Sequence, residues 1–430
     1  MLAKSVSRKS LIALAIAPAL LGLTALQAQA QTDVSQKVSA LEAQLNQLKA
    51  DLAKEKETTT TKGVETKRGT RFQFGGFIKL DAMYSDYSDG DRATASIGDD
   101  FYIPSTVPIG GDSGSKFDMH AKQSRFNVKS TTDTDAGQVN GLLEIDFQLS
   151  GQGDERISNS YAPRVRHAYL SWDYSDSASL LAGQTWSTLF NVSALPNTVD
   201  FVGPAGTIFV RQAQLRWSTK LSGGNALHFA LENPSTGLNG GSNNYDNNDM
   251  PDVAVRFDGK ANSFTYSLAG IGREIHYKDT IGGQAMDESE FGYALSGSAV
   301  WKFGADDLKI MLNYGNALGR YMGLQSYRDG SIDSDGSIEL NDQLGGFIAY
   351  KHAWNDRWRS SLVLSASRSD NPDFVAASTP SEYQSAHVNL IYSPAPAINL
   401  GAEIIYGEKT IESDDSGSLN RLQFMAMYSF

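Results

Sequence analysis

The 430 residues include no cysteine, so disulfides and thiolate metal sites are excluded. Beyond the N-terminal 23 residues no segment reaches about eighteen consecutive apolar residues, which excludes later helical membrane spans. Catalytic signatures are missing too. There is no Gly-x-Ser-x-Gly elbow, and His120, His167, His228, His276, His352 and His387 are scattered without zinc spacing. Asp333-Ser334-Asp335-Gly336 is similar to the start of a calcium loop, but no Glu closes it, so it reads as a turn. No metal, cofactor or enzyme chemistry is expected. Basic residues are in deficit, 37 against 49 acidic, and the net charge of −12 argues against a nucleic-acid partner.

What is present begins with an export signal. Lys4, Arg8 and Lys9 precede an apolar run over 11–23, and Ala28-Gln29-Ala30 offers a cleavage site. Residues 1–30 read as a signal peptide, and the loss of those three cations takes the mature chain from −12 to −15. Val34, Val38, Leu41, Leu45, Leu48 and Leu52 then form an a/d heptad seam, predicting a coiled-coil helix over 31–56. So short a helix is marginal alone, so a homotrimer is favoured. One amphipathic helix packed on its own chain is the alternative. Residues 57–71, opened by four threonines, read as a linker.

From Phe72 to Phe430 the chain repeats one unit, about ten alternating residues and a break. Phe74, Ile78, Leu80 and Tyr84 oppose Lys79, Asp81 and Met83. Ile398, Leu400, Ile404 and Tyr406 oppose Asn399 and Glu403. Leu422, Phe424, Ala426, Tyr428 and Phe430 close the series. A strand ending on an aromatic residue resembles the C-terminal assembly signal of bacterial outer-membrane barrels. With an export signal in front, the apolar face turns outward to lipid and the polar face inward. Sixteen strands are predicted, starting near 72, 124, 139, 164, 179, 209, 227, 252, 263, 292, 307, 343, 358, 383, 397 and 421. Long and short connections alternate, as they do in an antiparallel transmembrane β-barrel with short periplasmic turns and long outer loops. The coiled coil then belongs in the periplasm. Tyr84, Tyr314, Tyr350, Tyr392, Tyr406, Trp217, Trp301 and Trp358 stand at strand ends, where an aromatic girdle lies.

A barrel of this size leaves an aqueous channel. Its basic strand residues are Lys79, Arg125, Lys129, Arg164, Arg166, Arg211, Arg216, Arg256 and Arg273, while acid concentrates in the loops. Arginine suits bidentate capture of carboxylates. These side chains predict an anion-attracting lumen; solvation of the wall or binding of lipid phosphates is the alternative. Over 164–172 and 211–217 either parity mixes charged and apolar residues, so the faces stay open there. The loop 187–208 carries Leu189, Phe190, Val192, Leu195, Phe201 and Val202 with a single acid, Asp200. The other long loops read as polar. An apolar outer loop is out of place in water, which predicts that this one folds inward as the constriction.

The motifs 74–81 (FGGFIKLD), 121–126 (AKQSRF), 166–169 (RHAY), 182–187 (AGQTWS) and 211–214 (RQAQ), together with the N-terminal coiled coil, resemble the DcaP-like porin family over essentially the whole mature chain. The resemblance implies a trimer of sixteen-stranded barrels in a Gram-negative outer membrane, taking up small anions, dicarboxylates in particular. Outer-membrane lipid and lipopolysaccharide are the surroundings expected. A general diffusion porin is the runner-up, and a surface adhesin whose barrel is only an anchor is the reading from another class.

Overall fold

A computed structural model of the chain describes residues 69–90, 96–148, 161–242 and 245–430. The signal peptide, the coiled coil and nearly all of the linker lie outside the described residues. In chain order the strands are β1 (Arg71–Tyr87), β2 (Gly114–His120), β3 (Arg125–Thr134), β4 (Gly137–Asp146), β5 (Arg164–Asp173), β6 (Ala178–Trp186) and β7 (Arg211–Lys220). There follow β8 (Ala226–Glu232), β9 (Leu238–Asn239), β10 (Asp252–Ala261), β11 (Phe264–Ile281), β12 (Gln284–Phe303) and β13 (Asp306–Gly315). The last are β14 (Gly330–Ile332), β15 (Ile338–Leu340), β16 (Asp342–Ala353), β17 (Trp358–Asp370), β18 (Pro380–Ala395), β19 (Ile398–Ile411) and β20 (Ser416–Ser429).

All but β9, β14 and β15 join one closed antiparallel wall, in which β20 returns to pair with β1. β2 and β3 both pair with β1 and are two halves of one wall strand, so the barrel has sixteen strands. At the break between them the Ser124 hydroxyl accepts the Lys79 backbone N–H at 3.1 Å, patching the ladder. The seam needs a glycine. Gly76 has φ of 152°, and a Cβ there would lie 2.1 Å from the Arg125 carbonyl oxygen. Gly76 and Phe430 exchange both backbone hydrogen bonds, at 3.2 and 3.1 Å.

The alternation has the sense the sequence predicts. Phe74, Ile78, Leu80 and Tyr84 stand exposed on the outside of β1, whereas Lys79, Asp81 and Met83 are buried inside. Two expected loops are strand instead. The loss of apolar alternation over 273–291 predicts a long connection there, yet β11 and β12 continue through it as a hairpin closed by Gly282 and Gly283, both at positive φ. Beyond the lipid the outer face of this ladder is polar while Ile275 and Tyr277 are buried on the other, so the apolar-outward pattern ended before the strands did. Similarly, β19 and β20 extend through most of 407–420.

The loop-side end carries its own small assembly. β14 pairs antiparallel with β15 and parallel with β9. Tyr245, Ile275, Tyr277, Leu238, Ala317 and Ile332 pack into an apolar cluster there.

Candidate functional site

The connection from β6 to β7, residues 187–210, turns into the barrel and follows its inner wall. Its anchors run in wall order. Arg256 on β10 donates through Nη1 to the Thr188 and Phe190 carbonyls, at 3.3 and 3.0 Å. Asn191 reaches Ser298 on β12 at 3.0 Å, and Lys309 on β13 donates to the Leu195 carbonyl at 2.7 Å. Arg359 on β17 and Asn389 on β18 hold the side chain and carbonyl of Asn197. Glu403 on β19 accepts the Val199 N–H at 2.7 Å and the Asp200 N–H at 3.3 Å. Lys79 on β1 donates to the Val199 carbonyl at 2.7 Å. On the way back, Gly206 lies so close to the wall that a Cβ would meet the Gly346 nitrogen at 2.4 Å and the Ala366 oxygen at 2.5 Å. A polar inward face makes this possible, because each buried backbone group of the loop needs a partner.

Apart from the exposed Val192, the loop's apolar residues are packed rather than wet. Leu189, Phe190, Val202 and Phe209 are buried in one cluster, and Phe201 packs against it. Two other connections enter the same cluster. One supplies Phe101, Tyr102, Ile103 and Val107, the other Leu318, Tyr321, Met322 and Tyr327. The expectation that the remaining long loops are polar is therefore corrected. Phe101, Tyr102 and Ile103 are consecutive but stand in a long connection otherwise rich in Gly, Ser and Asp, and Leu318, Tyr321, Met322 and Tyr327 are interrupted by polar residues, so the polar character of each whole segment masks the residues that folding gathers. Asp200 ties two of the three connections together: its carboxylate accepts the N–H groups of Tyr102, Val202 and Gly203 at 2.9, 3.2 and 3.0 Å. Burial pushes this carboxyl above the usual carboxylate range.

The wall away from those anchors, β3 to β8, carries most of the predicted cations. Arg164 binds Asp146 through two parallel hydrogen bonds of 2.9 Å each. Arg166 bridges Glu144 at 2.8 Å and Asp146 at 2.9 Å, and Arg125 lies 3.5 Å from Glu144. A β-bulge makes this crowding possible. Across β4, Glu144 opposes His167 while Ile145 opposes Val165, so Arg166 is the extra residue. Arg166 and His167 are consequently both buried, and the alternation changes phase between Val165 and Ala168, both on the outer face. This explains why neither parity fits 164–172. Gln184 donates to the Val165 and Arg166 carbonyls, at 3.1 and 3.4 Å, and satisfies the bulge.

Arg211 and Arg216 differ from these. Among the described residues neither has a carboxylate within salt-bridge distance. Arg211 stacks over Trp186 at 4.5 Å from the ring centre, with one guanidinium nitrogen buried and unpartnered. Arg166, Arg164 and Arg125 are its cationic neighbours. Arg256 pairs with Asp258 at 3.1 Å besides holding the loop.

Two predicted channel residues sit elsewhere in function. Arg273 is 0% exposed and is bound to Asp252 at 3.0 Å and Asp329 at 2.7 Å, with further donors on the Ala317 and Ser235 carbonyls. Lys79 is buried, bonded to Gln123 at 2.6 Å and Asp81 at 3.0 Å. Both tie connections to the wall. Sequence reasoning passed over Glu403 and Arg359, which hold the inward loop, Asp146, which binds Arg164, and Arg421, which donates to the Gly98 carbonyl at 2.9 Å. Their inward phase in the alternation was the available signal, since Glu403 stands opposite Leu400 and Ile404.

The family model for the DcaP outer membrane protein matches residues 20–430. Among solved structures, the outer membrane channel DcaP of Acinetobacter baumannii superposes with a TM-score of 0.72 at 22% identity, covering 86% of this chain and 99% of that one. OmpT of Vibrio cholerae gives 0.54 at 11% identity, covering 86% and 100%. An anion-selective porin from Comamonas acidovorans gives 0.53 at 12% identity, covering 84% and 100%. Comparison with curated protein sequences finds no match. At these identities the superpositions speak for the sixteen-stranded barrel alone, and the match over residues 20–430 carries the relationship: the chain belongs to the DcaP outer membrane protein family.

Proposed function

We propose that the protein is a passive outer-membrane porin with a preference for small hydrophilic anions such as dicarboxylates, narrowed by the inward loop 187–210. The supporting observation is the pair Arg211 and Arg216 on β7, two arginines with no carboxylate within salt-bridge distance among the described residues. A guanidinium already stacked on Trp186 keeps its edge donors for a passing carboxylate. Reversal potential in a planar bilayer under a salt gradient tests the reading. Anion selectivity is expected, and the double variant R211Q/R216Q should lower the anion-to-cation permeability ratio several-fold. Cation selectivity in the unaltered protein would sink the proposal.

The runner-up is general diffusion without a preferred solute. It draws support from Glu144 and Asp146, which neutralise Arg164 and Arg166. A permeability ratio near one, unchanged in the double variant, would favour it. For the assembly, the reading is a homotrimer joined through barrel walls and through a periplasmic coiled coil over 31–56. Chemical cross-linking in native membranes should give trimers, weakened when 31–56 is removed.

A further inference from the structure

At the loop-side end four connections enclose a cavity of 470 Å³. This volume is in the range of small-molecule sites, roughly 300–1,000 Å³. Its lining departs from its surroundings in charge. The bounding segments are rich in acid, with Asp329, Asp333, Asp335, Asp370 and Asp373, yet among the described residues no carboxylate lines the cavity, although Glu412 accepts from the Asn371 amide at 2.6 Å. Arg328 is the one charged side chain among the described lining residues. The rest of the polar lining is neutral and includes Ser105, Asn239, Ser331, Asn371, Ser378 and Thr379.

Two aromatic side chains complete it. Phe374 lines the cavity and is 46% exposed, which leaves part of its ring free for contact. Tyr327 is buried, with its ring 5.0 Å from Tyr383 and its hydroxyl 3.2 Å from Ser367. The walls are set in advance. Asn371 is held by Asn341, Ser369 and the Pro380 carbonyl at 2.9–3.0 Å. Beside it, Gly323, Leu324 and Gln325 follow one another at φ of 56°, 65° and 62°. A leucine and a glutamine in the left-handed region are strained, and such strain persists only where the surroundings enforce it.

From this lining we infer a binding site for a neutral saccharide of two or three rings. Hydroxyls and amides suit a ligand with many hydroxyl groups and no formal charge, and an exposed phenyl ring suits the apolar face of a pyranose. An apolar ligand would call for an apolar lining, and a free dianion for several cations. The inference is independent of the ion preference of the channel.

The test is saturation-transfer NMR on the full-length protein in a non-glycosidic detergent, with maltotriose as probe. Saturable transfer is expected. F374A should weaken the affinity about tenfold, as the loss of one aromatic contact would. S378W, which fills the cavity from its exposed rim, should abolish transfer while the heat-shifted mobility of the folded barrel stays unchanged. Absence of transfer to the unaltered protein, or full transfer to S378W, overturns the inference. Reversal potential should be the same in all three proteins, so failure here leaves the channel reading intact, and the converse holds.

Discussion

At the scale of single residues, being inside the barrel does not make an arginine part of a conduction path. Arg273 and Arg211 look alike in the sequence, each at a strand end in a chain short of cations. One is locked between Asp252 and Asp329, the other has no carboxylate within salt-bridge distance among the described residues. Their substitutions should therefore part company. R273M strands two buried carboxylates and should destabilise the barrel by about 3–5 kcal/mol, read as a lower urea midpoint, with selectivity unchanged where the protein folds. R211Q loses the stack on Trp186 but strands no salt-bridged carboxylate, so it should cost only about 0.5–2 kcal/mol and shift the reversal potential. Residue identity and phase were legible in the sequence; partner choice was not. Arg273 meets Asp329 across 56 positions, and nothing in a local pattern announces it.

For the elements, the wall strands were legible because lipid outside and water inside impose a period of two. Strand ends above the membrane were less so, as β11 and β12 show. The inward fold of 187–210 was suggested by its apolar content, but its route was not, because the route is written in wall residues such as Glu403, Lys309 and Arg359. Gly206 gives the sharpest handle. G206V forces a side chain into the backbone of β16 and β17, so the loop should leave the wall. Single-channel conductance should then change and become noisy while the barrel still resists heat; unchanged conductance would show that the loop does not gate the path. E403Q weakens the same attachment more gently, removing a charge-assisted acceptor of backbone N–H groups, worth about 1–3 kcal/mol.

For the whole molecule, closure is the governing fact. A sheet paired on both edges has no template for further strands. The seam has little tolerance, because G76A would set a Cβ against the Arg125 carbonyl and part β1 from β3. We expect G76A to accumulate as unassembled, protease-sensitive chain, detectable by its loss of heat-shifted mobility. Removing 31–56, by contrast, should leave the barrel able to insert, since the described wall closes on itself without that segment. The three inward connections also join regions far apart in the chain, so much of the interior packing must wait until the wall has formed.

The bulge at Arg166 has a consequence for heredity. Where the ladder is regular, loss of one codon turns every following side chain of that strand to the wrong solvent. At this position, deletion would bring Val165 beside His167 and restore plain alternation, with Ala168, Leu170 and Trp172 still facing lipid. The wall therefore holds a place where the reading of inside and outside survives a lost residue, and that residue is one of its arginines.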